Sequence, residues 1–283
     1  MSTAPLNVSV VTPSFRNSGW LKLCVASVAD QEGVTFEHIV QDSCSDDGTQ
    51  EWLKQDSRVR AFVEKDAGMY DAVNRGFRKS QGEILCYLNC DEQFLPGALK
   101  SVWDYFSANP EVDVMFSRTV VVDADGQYFC HRPALAPLRH HTWYRFAVLT
   151  CAMFMRRRVV AETGLYFDTS WRDIGDHFWL MEVVNRRIRT GVMRQFTSVF
   201  TETGDNMCLK PNAHRERAIQ SEMIPAWVRR MRPAILLWHK WRMLLSGTYF
   251  QKPFDFALYT RSSPDRRVVR HVSNPTGLWR GRY

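Results

Sequence analysis

Residues Lys65 to Glu92 read KDAGMYDAVNRGFRKSQGEILCYLNCDE, and this stretch decides the fold. It runs loop, helix, loop, strand, acidic corner. Ala72, Val73, Gly76 and Phe77 recur at helical spacing and give the helix a packing face. Gly82 breaks the chain before Ile84, Leu85, Cys86, Tyr87 and Leu88, an apolar run of the length of a buried parallel strand. The run stops at Asn89-Cys90-Asp91-Glu92. Carboxylates at the carboxyl end of a buried strand point into the crevice where open α/β sheets bind ligands. Hard oxygens there suit a divalent cation that shares its shell with phosphate oxygens. The competing reading is that Asp91 and Glu92 cap the helix expected over Pro96 to Ala108.

Working outward, Asn7 to Thr12 is a β-branched run that predicts a buried first strand, closed by Thr12-Pro13-Ser14. A helix over Trp20 to Val28 follows, with no GxGxxG between strand and helix, which weighs against a dinucleotide site. The second strand, Glu37 to Gln41, ends in Asp42-Ser43-Cys44-Ser45-Asp46-Asp47-Gly48-Thr49. Asp46, Asp47 and Thr49 are expected to shape the turn and cap the helix Gln50 to Lys54. Arg58 to Glu64 supplies a third strand. Repeated strand–helix units predict an α/β fold with a mostly parallel sheet covered on both faces.

These motifs resemble those of the family 2 glycosyltransferases, which use the GT-A nucleotide-diphospho-sugar fold. The Lys65–Glu92 stretch follows that family's D-x-G-x-x-D-A-x-N-x-G … G-E-x-x-x-x-L-N-x-D-[DE] pattern, and Asp42 to Thr49 follows its D-x-x-S-x-D-G-T loop. The resemblance implies an inverting transferase that moves one sugar from a nucleotide-diphosphate donor, a UDP-sugar first among them. By that resemblance Asp91 holds Mg²⁺ or Mn²⁺ against the diphosphate, and Asn89 stands where many members have a first Asp. It also places Thr12, Pro13, Asp42, Asp71, Asn74, Arg75, Asn89, Cys90 and Asp91 along the donor.

The acceptor side begins after a long strand, Val112 to Val122, and a hairpin turn at Asp123-Ala124-Asp125-Gly126 into Tyr128 to His131. Thr150 to Met155 reads as a strand and Gly191 to Thr201 as another. Between them Phe178, Leu180, Met181 and Val184 begin a helix just after Gly175-Asp176. Inversion needs one carboxylate to take the acceptor's proton. The family places an Asp at the start of such a helix, often after a Glu, and Asp176 corresponds to it, with Gly175 in place of Glu. Asp173 and Asp168 compete for the role, and helix capping applies to Asp176 as well. The Thr203-Gly204-Asp205-Asn206 run resembles the loop that closes over the donor in relatives, and Asn206 or His214 is a diphosphate contact on the same ground.

The chain has 283 residues with 45% apolar and 24% charged residues, enough for one large α/β domain plus an appendage. A boundary is expected near residue 210, with a donor half to about 122, an acceptor half over 123–210, and a helical, basic extension over 211–283. In that extension Arg229, Arg230, Arg232, Lys240 and Arg242 interleave with Leu and Trp. The pattern fits a helix lying on a membrane surface, or one folded back on the domain. The seven cysteines form no CxxC pair, which argues against a zinc site and for a reducing compartment. No secretory leader or spanning segment is legible, so a cytoplasmic enzyme is expected, peripheral on the inner membrane if the helix binds there. The Gln-x-x-Arg-Trp element of processive synthases is absent. A single-addition enzyme of surface-polysaccharide or lipopolysaccharide synthesis is therefore expected rather than a polymerase, and the resemblance implies a saccharide or lipid-linked saccharide as its acceptor. Two rival classes remain. A nucleotidyltransferase calls for a Gly-rich, basic loop after the first strand, and TPSFRNSG serves that poorly. Nucleic-acid binding fits the net charge of +7, but acidic clusters occupy the predicted crevice, so no nucleic acid is expected.

Overall fold

β1 (Val8–Ser14) is made of apolar and small residues, and in the computed structural model all seven are buried. The structure describes residues 6–146, 148–204 and 206–279. After β1 come α1 (Ser18–Ala29), β2 (Phe36–Asp42), α2 (Thr49–Leu53), β3 (Arg60–Val63), α3 (Met69–Lys79) and β4 (Ile84–Tyr87). β1 pairs in parallel with both β2 and β4, and β2 pairs in parallel with β3. Alternation along β4 divides the core into two layers. Leu85 and Tyr87 join Tyr70 and Phe77 of α3, whereas Ile84 and Cys86 join Cys24 and Val28 of α1. α3 lies so close to β1 that a Cβ on Gly76 would stand 2.3 Å from Val11 Cγ1.

The second half adds β5 (Glu92–Phe94), α4 (Ala98–Ala108), β6 (Val114–Asp123), β7 (Tyr128–Arg132), β8 (Met153–Arg156), α5 (Arg158–Ala161), α6 (Gly175–Asn185) and β9 (Thr190–Glu202). The sheet runs β3-β2-β1-β4-β8-β6-β9-β5, with β7 paired to β6. β8 is antiparallel to both β4 and β6, so the sheet is parallel through its first four strands and mixed beyond them. Two local readings differ from the sequence expectation. The strand expected from Thr150 starts at Met153, after a 3₁₀ turn at Thr150–Ala152. The acidic corner runs directly into β5, whose three residues pair with β9.

The C-terminal part holds α7 (Pro211–Glu222), α8 (Ala226–Arg230) and α9 (Arg232–Leu245), then a hairpin of β10 (Phe254–Thr260) and β11 (Ser263–Val272). The extension expected to be helical therefore ends in antiparallel strands. The hairpin packs on the body: Phe256, Leu258 and Val272 are buried with Leu95, Val120 and Val199. Polar contacts bind it further. Arg267 grips Asp30 through both carboxylate oxygens at 2.6 and 2.7 Å, and the Gln93 side chain bonds the Tyr259 backbone at 2.9 and 2.8 Å. Among the described residues no helix is long and apolar enough to cross a membrane.

Candidate active site

β1 and β4 end side by side, and the segments leaving them line one cleft of about 1440 Å³. Pro13 and Ser14 come from β1, and Asn89, Cys90 and Asp91 follow β4. The Cys90 thiol donates to the Pro13 carbonyl at 3.2 Å and ties the two strand ends together. Across the cleft stand the first turn of α6, with Asp176 and His177, and Arg217 of α7. This is the carboxyl edge of a parallel sheet, where α/β folds place ligands.

At the strand-end corner Asp91 keeps part of its surface open to the cleft, and burial of the rest raises its carboxyl above the ordinary range. Glu92 is 1% exposed, and burial, together with the neighbouring Asp91 charge, raises it as well. Its Oε2 accepts from the Asn89 N–H at 2.8 Å. The Asn89 side-chain oxygen is buried without a protein donor. An orphaned acceptor costs about 1–3 kcal/mol unless something outside the protein satisfies it. Asp91 and Asn89 thus offer hard oxygens that fit a divalent cation. Among the described residues no three His, Cys, Asp or Glu side chains converge as a metal cage. The fit is to an ion that completes its shell with phosphate oxygens and water.

Asp176 is the second residue of α6, and its Oδ1 accepts from the His177 N–H at 2.8 Å. It is partly open at the cleft surface but deep among protein atoms. Burial raises its carboxyl to about 6, against the pull of the His177 N–H and the Arg217 charge. Gly175 has a steric reason: a Cβ there would lie 2.7 Å from Cε2 of Tyr70. Tyr70 is held by stacking on Phe167 at 5.3 Å, and its buried hydroxyl sits beside Asp176, the carboxylate it helps to stabilise.

What holds the turn before Asp176 is Glu216 of α7, which sequence reasoning missed. Its carboxylate accepts from the backbone N–H groups of Arg172, Asp173 and Ile174 at 2.8, 3.0 and 3.0 Å. Burial opposes ionisation of Glu216, but these donors and Asn212 outweigh it and keep its pKa below the usual value. Asn212 also donates to Asp173 at 2.9 Å, so Asp173, although it lines the cleft, is held within this network. Asp168 shapes a turn by accepting from the Ser170 N–H at 2.9 Å and does not line the cleft.

Five residues expected along the donor lie off the cleft lining, each with protein partners. Asp42 is fully buried, and both its oxygens are taken by Ser45, through N–H at 2.8 Å and Oγ at 2.6 Å. Thr12 bonds His38 at 2.9 Å. Asp71 pairs with Arg75 at 2.8 Å and accepts from the Ala67 N–H, at the end of α3 where the helix dipole favours an acid. Arg75 also donates to the Lys65 carbonyl at 2.9 Å. Asn74 clamps the Phe167 backbone in both directions, at 2.8 and 2.9 Å. Asn206 and His214 do line the cleft, and Asp205 lies outside the described residues.

The model for "Glycosyl transferase family 2" matches residues 9–165, more than half of the chain. A putative teichuronic acid biosynthesis glycosyltransferase of Bacillus subtilis (strain 168), TuaG, is 31% identical over 103 residues, covering 35% of this chain and 41% of its own. A GalNAc(5)-diNAcBac-PP-undecaprenol beta-1,3-glucosyltransferase of Campylobacter jejuni is 30% identical over 101 residues, covering 34% of this chain and 33% of its own. The matched stretches thus span less than half the length of these relatives. In three dimensions the crystal structure of S. aureus TarS 1-349 in complex with UDP-GlcNAc superposes with a TM-score of 0.60 at 16% identity, covering 76% of this chain and 66% of that one. The matched segment carries the strand-end corner and stops short of α6, whose role rests on the cleft itself. With more than half its length matched, from β1 to just past α5, the chain belongs to glycosyl transferase family 2.

Proposed function

We propose that this chain transfers a single sugar, with inversion, from a nucleoside-diphosphate donor to a saccharide or lipid-linked saccharide in surface-polysaccharide synthesis. The observation that carries the reading is the placement of two desolvated carboxylates, Asp91 and Asp176, in one cleft on different elements. Asp91 and Asn89 would hold Mg²⁺ or Mn²⁺, which when bound neutralises the departing diphosphate as a Lewis acid. Asp176 takes the acceptor hydroxyl's proton as the new glycosidic bond forms and the bond to the diphosphate breaks. A carboxyl raised to about 6 suits that task, because a base works best when its pKa lies near the operating pH. Family membership and the UDP-GlcNAc held by the TarS neighbour favour a UDP-sugar. The strand-end side of the cleft is assigned to the donor and the α6–α7 side to the acceptor, with the work at the cytoplasmic membrane face.

The test is release of nucleoside diphosphate from a panel of UDP-, GDP- and dTDP-sugars with Mn²⁺ or Mg²⁺. We expect slow release from a UDP-sugar that stops on chelation. No release from any member of the panel, or release of pyrophosphate from a nucleoside triphosphate instead, would overturn the reading.

A further inference from the structure

The outer face of α9 is apolar where a solvated helix is polar. Ile235 and Met243 face inward, and Arg242, expected to meet solvent or lipid, turns inward too and donates to the Ala136 carbonyl. Leu237, Trp238, Trp241 and Leu245 face outward, 59%, 50%, 51% and 70% exposed. Trp227 and Met231 of the adjoining helical layer and Phe250 beyond α9 are exposed as well. Residues 223–254 hold six Lys or Arg and no Asp or Glu.

We propose that this face docks on an anionic lipid bilayer. A second copy of the chain fits it poorly, since a self-complementary contact would set cations against cations with no carboxylate in the segment to pair them. An anionic leaflet supplies the opposite charge, and tryptophan prefers headgroup depth. At 14 residues α9 is too short to span and lies flat in the interface. The inner side of the same layer, Ile224, Val228 and Ile235, packs on Trp143 and Tyr144, which line the cleft. Docking therefore sets that wall of the cleft one helix thickness, about 10 Å, from the lipid surface. Resting on the proposed transfer reaction, this makes the acceptor one presented at the bilayer rather than a free saccharide.

The test is flotation of the full chain with phosphatidylglycerol–phosphatidylcholine vesicles against phosphatidylcholine alone, at low and high salt. One variant combines Arg229→Gln, Arg230→Gln and Lys240→Gln, and a second combines Trp238→Ser and Trp241→Ser. None of these residues lines the cleft. We expect salt-sensitive binding to the anionic vesicles, weakened about 100-fold by loss of the three cations and comparably by loss of the two tryptophans. Melting and UDP binding in solution should stay at wild-type values in both variants. The proposal falls if the wild-type chain ignores anionic vesicles at low salt, or if it forms a dimer that the tryptophan variant dissolves. UDP binding reads the transfer proposal separately, so either can fail alone.

Discussion

Asp176 is a carboxylate in a place that disfavours its charge. Its folded pKa of about 6 lies above the ordinary 3.8, so the folded state holds a proton that the unfolded state gives up between those values. Stability is therefore lost as pH rises through that window, and the cost is complete above about pH 6. Asp176→Asn removes it while keeping an acceptor for the His177 N–H. We predict that the variant melts higher than wild type at pH 8, by about 1–3 kcal/mol, and loses that advantage below about pH 4. Wild-type turnover should fall as pH drops through about 6. A variant less stable than wild type at pH 8 would contradict this account. Asp91, Asn89, Cys90, Pro13 and Asp176, picked out in the sequence, line the cleft because their motifs sit at strand or helix ends that open on it. Asp42 and Asp71 belong to equally clear motifs, yet their oxygens are bound by Ser45, Ala67 and Arg75. A pattern of residues gives the turn, and only packing decides whether a carboxylate looks inward or into the cleft.

At the scale of elements, α7 positions the start of α6 through Glu216. A charged acceptor serving three backbone donors is worth several net hydrogen bonds, so Glu216→Ala should cost about 2–4 kcal/mol. Hydrogen exchange at residues 172–174 should quicken, and kcat should drop at least about tenfold with donor affinity retained. Glu216→Gln, which keeps an acceptor, should recover part of both losses. Wild-type kcat in the alanine variant would show that the turn needs no such support. Nothing local announces this link, since Glu216 and its donors lie more than forty residues apart and the helix reads only as mixed polar. The terminal hairpin, in contrast, had a visible signal: Phe256, Leu258 and Thr260 alternate inward, the period-2 pattern of a half-buried strand. β5 is too short for any such pattern to register.

At the scale of the molecule, the α/β fold and the strand–helix order of the first half followed from buried β-branched runs and turn residues. The change to mixed pairing at β8 did not, because a four-residue apolar strand carries no mark of its direction. The return of the chain over Leu95 and Val120 was hidden too, in contacts between residues far apart in sequence. The central claim is that the two sides of the cleft divide the labour, Asp91 for the donor and Asp176 for the proton. Calorimetric titration of UDP with Mn²⁺, alongside turnover, into wild type, Asp91→Asn and Asp176→Asn tests it most directly. We predict that Asp91→Asn loses the metal-dependent part of binding together with turnover. Asp176→Asn should bind UDP as wild type does while turnover falls by about two to four orders of magnitude. Metal-dependent binding and near wild-type turnover in Asp91→Asn, or equal loss of binding in both variants, would contradict it.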